Sequence, residues 1–155
     1  MKTSRSVVKF LSTFLYIGYI PVVPGTFASL AGILLFYLVK GNTAVYLGFT
    51  LTVIILGFLI SGRAEDIFKK KDPRQVVIDE IAGMLLSLIF LPCDARLVII
   101  AFIIFRILDA LKPFPAGRLE KRPGGIGIMM DDIVSGIYTN IILQIALRFA
   151  SFKIS

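Results

Sequence analysis

The sequence predicts an all-α fold: an integral membrane helical bundle of about five transmembrane helices, preceded by an N-terminal amphipathic or shallow helix. Three observations predict it. Hydrophobic residues make up 57% of the chain and charged residues only 17%, against about 25% charged in an ordinary soluble domain. The stretch 43–61, TAVYLGFTLTVIILGFLIS, carries no charge, and about 20 mainly apolar residues suffice to span a bilayer. Further apolar segments recur at short intervals, with no internal repeat, low-complexity tract or linker between them. One domain over 1–155 is therefore expected.

Taken in order, residues 1–20 place Lys2, Arg5 and Lys9 ahead of an apolar run, as a signal peptide does. The following PVVPGTFASL runs straight into more apolar sequence, so a retained amphipathic or shallow helix is expected instead. Residues 27–39 form a short apolar helix, about 20 Å at 1.5 Å per residue. Residues 43–61 form the clearest span. Residues 76–91 are apolar with Asp79 and Glu80 near the start, and 95–111 carry Arg106 and Asp109 near the end. The last apolar segment, 133–149, is preceded by Asp131 and Asp132.

The net charge of +7 raises the question of nucleic acid, but the bases sit in short loops beside apolar segments. Orientation in the membrane and attraction to anionic lipid explain them better, so no nucleic-acid partner is expected. Loop 62–75 holds Arg63, Lys69, Lys70, Lys71 and Arg74. Loop 112–130 holds Lys112, Arg118, Lys121 and Arg122. The connections near Gly41 and Cys93 have only Lys40 and Arg96. The excess of Lys and Arg in cytoplasmic loops then places both basic loops and the N-terminus inside. On that path Asp79, Glu80, Asp109, Asp131 and Asp132 all reach the cytoplasmic face.

An acid near a helix start has an ordinary explanation, the free N–H groups and the dipole. That covers Asp79, Asp131 and Asp132 singly, but not Asp109 at a helix C-terminus, nor five acids in one layer. Arg106 can pair with Asp109 on one helical face. The chain has no histidine and one cysteine, which excludes a disulfide within the chain, a cysteine-based metal site and imidazole chemistry. The donor set is all oxygen and suits Mg²⁺ or Mn²⁺, with Asp79, Glu80, Asp109, Asp131 and Asp132 as ligands. Stripes of Asp132, Gly136, Asn140 and Gln144, and of Asp79, Gly83 and Ser87, turn these acids toward the bundle interior. Helix packing alone explains the stripes equally well.

Two loops suit a phosphate. Gly25 and Thr26 open a helix whose free N–H groups can hold an anion, although Pro-Gly-Thr is also an ordinary turn and cap. Lys112 and Arg118 can bind phosphate oxygens, and the glycines around Gly125 permit close backbone approach; topology signalling explains the bases too. Histidine and cysteine phosphatase routes lack their residues, and a DxDxT motif is absent. The expected chemistry is metal-assisted, with Asp131 or Asp79 as general base and Arg106 and Lys112 stabilising phosphoryl charge. An aspartyl-phosphate intermediate is the mechanistic alternative. Glu65, in the basic loop, is expected to lie outside the cluster and to be functionally silent.

The segments Pro24-Gly25-Thr26, VIDEIAG at 77–83, FRILD at 105–109 with Lys112-Pro113, and GGIGIMMDD at 124–132 resemble the phosphatidylglycerophosphatase A family in order and spacing over residues 24–138. Ala28 stands where many members have glycine. The resemblance implies a bacterial inner-membrane, Mg²⁺-dependent enzyme converting phosphatidylglycerophosphate to phosphatidylglycerol and phosphate. The residues themselves argue only for a phosphorylated lipid at the cytoplasmic leaflet. An ion or metal transporter and a non-catalytic headgroup-binding protein stay open as alternatives, as does the oligomeric state.

Overall fold

The computed structural model describes residues 2–154, with side chains over 5–149. Every regular element among the described residues is helical. The order is α1 (Lys2–Ser12), a 3-10 turn (Ile17–Tyr19), α2 (Pro24–Val39), α3 (Thr43–Phe68), α4 (Ile78–Ser87), α5 (Ala95–Leu111), α6 (Ala116–Leu119) and α7 (Gly124–Ile154). Polar side chains start two of them. The Asn42 carboxamide oxygen accepts from the Ala44 and Val45 amides, and the Asp94 carboxylate from those of Arg96 and Leu97, as N-caps do.

The helices depart from expectation at their ends. α3 runs on through Arg63 and Glu65 to Phe68 before Lys69 turns left-handed at φ 52°. α7 begins at Gly124 instead of residue 133, so Asp131 and Asp132 lie two turns inside it. Its glycine-rich start looks like loop, but tertiary contact overrides that propensity: a Cβ on Gly125 would lie 2.4 Å from the Phe58 carbonyl oxygen of α3. α4 spans 10 residues, about 15 Å, and not the whole of 76–91.

These lengths bear out the helical class but not five full-length spans. Among the described residues, two helices are long and apolar enough to cross a membrane: Thr43–Phe68 and the Gly124–Phe149 part of α7, 26 residues each. α2 is apolar but shorter, and α4 is a buried half-length helix enclosed by α2, α3, α5 and α7. Leu34, Leu38, Leu51, Leu59, Ile99 and Ile141 point outward. So large an apolar exterior suits a membrane protein.

α4 crosses α7 at two glycines, where a Cβ on Gly136 would fall 2.4 Å from the Gly83 carbonyl oxygen. Farther along α7, the Asn140 amide donates to the carbonyls of Ser87 and Ile89 at 3.1 and 2.7 Å, and Gln144 to that of Ile89 at 3.2 Å. The polar stripe of α7 thus satisfies the carbonyls at and beyond the end of α4, which have no partner within that helix. The two ends of the bundle are distinct. At one, Lys40 Nζ donates to Cys93 Sγ at 2.7 Å; at the other, Lys71 Nζ donates to the Lys121 carbonyl at 3.0 Å. Both basic loops therefore share the end opposite Gly41 and Cys93.

Candidate active site

The basic end holds a cleft of about 390 Å³, lined from α2, α4, α5 and α7 and from the loop before α4. The N-terminal segment fixes that loop. The Val77 amide donates to the Ser12 carbonyl at 2.9 Å, and Arg74 Nη2 to the Pro21 carbonyl at 2.6 Å. α4 then opens with Asp79 and Glu80 in its first turn, where the dipole favours acids. Asp131 and Asp132 come from inside α7, too far from its N-terminus for capping to explain them. The two glycines at the α4–α7 crossing let these helices approach closely enough to bring the four acids together.

Asp79, Glu80 and Asp132 form the floor. One carboxylate oxygen from each lies within 4.8 Å of the others. Asp79 is 7% exposed, Asp131 7% and Asp132 3%. Asp79 Oδ1, Glu80 Oε2, Asp131 Oδ1 and Asp132 Oδ1 are buried without a hydrogen-bond partner. Burying ionised groups unpaired is expensive, so an oxygen-only cluster of this kind fits a hard divalent cation. Gly25 makes room for it. A Cβ there would lie 2.2 Å from Glu80 Oε1 and 3.4 Å from Arg106 Nη2.

The remaining acids are paired with bases. Arg106 Nη1 binds Asp109 Oδ2 at 3.0 Å, one helical turn apart on α5, and lies 3.5 Å from the buried Ser29 Oγ. Lys112, like Lys69 at the end of α3, ends α5 in the left-handed region at φ 46°, a common way for a helix to stop. Its ammonium donates to Glu120 Oε1 at 2.5 Å and to Asp131 Oδ2 at 2.9 Å. Burial pulls the Lys112 pKa down, but these hydrogen bonds outweigh it and hold the group above the usual lysine range.

The cleft brings together Asp79, Glu80, Asp109, Asp131, Asp132, Arg106, Lys112 and Gly25. Thr26, Arg118 and Gly125 are not in its lining. The Thr26 amide already donates to the Val23 carbonyl at 3.0 Å, so it is not free for an anion. The Arg118 guanidinium lies 5.0 Å over the Phe114 ring. Gly125 packs against α3, as described above. Sequence reasoning missed Asp72 and Arg74 in the lining and Glu120 on Lys112. The turn-rich Lys112-Pro-Phe-Pro-Ala-Gly segment is the one signal that the chain doubles back there.

An acid-floored, cation-flanked cleft at one end of an apolar helical bundle defines a membrane-type protein with a carboxylate cluster that could hold a metal ion. The chain belongs to the phosphatidylglycerophosphatase A family, whose model matches residues 10–147. It is 39% identical over 128 residues to phosphatidylglycerophosphatase A of Escherichia coli, covering 77% of this chain and 72% of the relative. It is 33% identical over 130 residues to that of Haemophilus influenzae, covering 81% and 80%. A Bacteroides thetaiotaomicron protein, provisionally named a phosphatidylinositol-3-phosphatase, is 33% identical over 138 residues, covering 83% and 86%. No solved structure matches the chain at a significant level.

Proposed function

We propose that this protein is a multi-pass enzyme of the bacterial cytoplasmic membrane, hydrolysing the terminal phosphate ester of phosphatidylglycerophosphate on the cytoplasmic side. The observation that carries the reading is the set of four buried carboxylate oxygens without partners, in one cleft with Arg106 and Lys112. Asp79, Glu80 and Asp132 would hold Mg²⁺, with Mn²⁺ as substitute. A divalent ion there supplies charge neutralisation at the phosphoryl group and a water of lowered pKa.

The chain's own residues do the rest. Lys112 spends two of its three donors on Glu120 and Asp131 and keeps one for a phosphoryl oxygen. Arg106 offers the guanidinium N–H groups left after Asp109. Asp131 has one oxygen fixed by Lys112, and its partnerless Oδ1 would accept a proton of the attacking water. The water oxygen would form the new bond to phosphorus as the bond to the glycerol oxygen breaks, and that oxygen would take the proton that Asp131 accepted as phosphatidylglycerol leaves.

Both basic loops sit at the cleft end, which supports a cytoplasmic active site by the positive-inside rule. In this arrangement α2, α3, α5 and α7 cross the membrane alternately, and α4 with the turn after it makes the remaining pass inside the bundle.

The test is phosphate release from phosphatidylglycerophosphate by purified protein in neutral detergent. Turnover is expected to vanish in excess EDTA and return with Mg²⁺. Full turnover in EDTA would remove the metal from the mechanism, and no release at all would remove the function. Phosphatidylinositol 3-phosphate belongs in the same assay, because the Bacteroides relative carries that name.

A further inference from the structure

Glu120 takes no part in the proton and phosphoryl transfers, yet it touches Lys112. The path between them is a built turn. Lys112 reverses the chain at φ 46°, and the Ala116 amide donates to the Pro113 carbonyl at 2.7 Å. The single helical turn of α6 follows, and the Glu120 amide donates to the Ala116 carbonyl at 3.0 Å. Close approach is enforced on both sides of it. A Cβ on Gly117 would lie 3.2 Å from the Lys112 carbonyl oxygen, and one on Gly127 would lie 2.0 Å from the Arg122 carbonyl oxygen and 3.0 Å from that of Glu120. The result is a carboxylate eight residues along the chain, returned to 2.5 Å from Lys112 Nζ.

An exposed lysine–glutamate pair contributes little, and that would be the whole account if the pair stood alone. It does not. The same ammonium binds Asp131, whose side chain is 10% exposed against 29% for Lys112 and 36% for Glu120. Two carboxylates converging from different elements leave the ammonium one direction of freedom, into the cleft. A lysine stem has several rotatable bonds, and a single partner would not fix it.

We propose that Glu120 is a positioning residue of the reaction: with Asp131 it holds the Lys112 ammonium aimed at the phosphoryl group, and it touches neither substrate nor metal. This rests on the hydrolytic reading given above. A misdirected Lys112 still attracts an anionic lipid, so substrate affinity survives, but the contact that strengthens as the phosphoryl bond breaks is lost.

The experiment is steady-state hydrolysis of phosphatidylglycerophosphate in neutral detergent by wild type, Glu120→Gln and Glu120→Asp. For Glu120→Gln, kcat is expected to fall about 10- to 100-fold, with KM within about twofold of wild type. Glu120→Asp, which keeps the charge on a shorter stem, is expected to recover the larger part of the rate. Wild-type kcat in Glu120→Gln overturns the proposal. So does a raised KM at unchanged kcat, which would put Glu120 on the substrate. Should Glu120→Gln not give a monodisperse protein, Glu120→Asp alone decides, by a reduced kcat at unchanged KM or by no change. Absence of turnover in the wild type overturns the hydrolytic reading itself, and this role with it.

Discussion

At the scale of single residues, the proposed role of the floor acids comes with a cost in stability. Asp79 and Asp132 each bury an oxygen with no hydrogen-bond partner, and each lies beside other carboxylates. Asparagine keeps the shape and removes a charge. Asp132 lies in the interior of α7, so a capping role is closed to it. At Asp79, asparagine would cap about as well as aspartate. Asp79→Asn and Asp132→Asn are therefore expected to lower turnover by at least about 100-fold, the scale on which one preorganised electrostatic group acts. Their unfolding temperature in metal-free detergent should equal or exceed that of wild type. Wild-type rates in both variants would falsify the floor as the active centre. This much was legible in the sequence, because acids are rare beside apolar helices and each could be placed by its distance from a helix end. Glu120 was not legible, because nothing local joins a glutamate to a lysine across two prolines.

At the scale of elements, two contacts decide how well the acids are held. The first is the α4–α7 crossing. Gly136→Ala would push a methyl into the Gly83 carbonyl. Overpacking of this kind costs about 1–3 kcal/mol, and it should lower activity by separating the helices that bear Asp79 and Asp132. Gly48→Ala is the control: a Cβ there meets nothing within 4 Å, so a gain of about 0.5–1 kcal/mol is expected from helix propensity. Equal effects of the two substitutions on denaturant unfolding would dismiss the crossing as a constraint. The second contact is made by Glu65, which lies in the last turns of α3 and not in the loop, outside the cleft lining. One of its oxygens accepts from the Asp72 amide at 3.0 Å, the other from the Gly124 amide at the start of α7 at 2.9 Å. Glu65→Gln keeps one acceptor and should cost about 1 kcal/mol, and Glu65→Ala about twice that. If Glu65→Ala unfolded like the wild type, this tie between α3 and α7 would carry no weight.

For the whole molecule, sidedness follows from charge. The end that carries the cleft also carries Lys69, Lys70, Lys71, Lys121 and Arg122, while the connections at the other end have Lys40, Arg96 and the exposed Cys93. The single native cysteine supplies a reference for the opposite face. In intact cells a membrane-impermeant thiol reagent is expected to label Cys93. A Lys70→Cys variant made in a Cys93→Ser background should be labelled only after lysis. Labelling of residue 70 in intact cells would place the cleft on the outer leaflet and overturn the cytoplasmic assignment.

The sequence by itself determined the helical class, the order of the apolar segments and the gathering of acids at one end. Those follow from composition, period and the sign of loop charges, all of which are local or additive along the chain. It could not determine that α4 is a buried half-length helix, since an apolar run reads the same whether lipid or protein surrounds it. Nor could it tell that 124–127 is helix: glycine's propensity argues for loop, and only the approach of α3 rewards a residue without a side chain there. The division of the acids was likewise a tertiary decision. Asp79, Glu80 and Asp132 remain without basic partners, while Asp109 and Asp131 are paired with Arg106 and Lys112. A difference of a few ångströms between helices sets that division, and such distances exist only once the helices have packed.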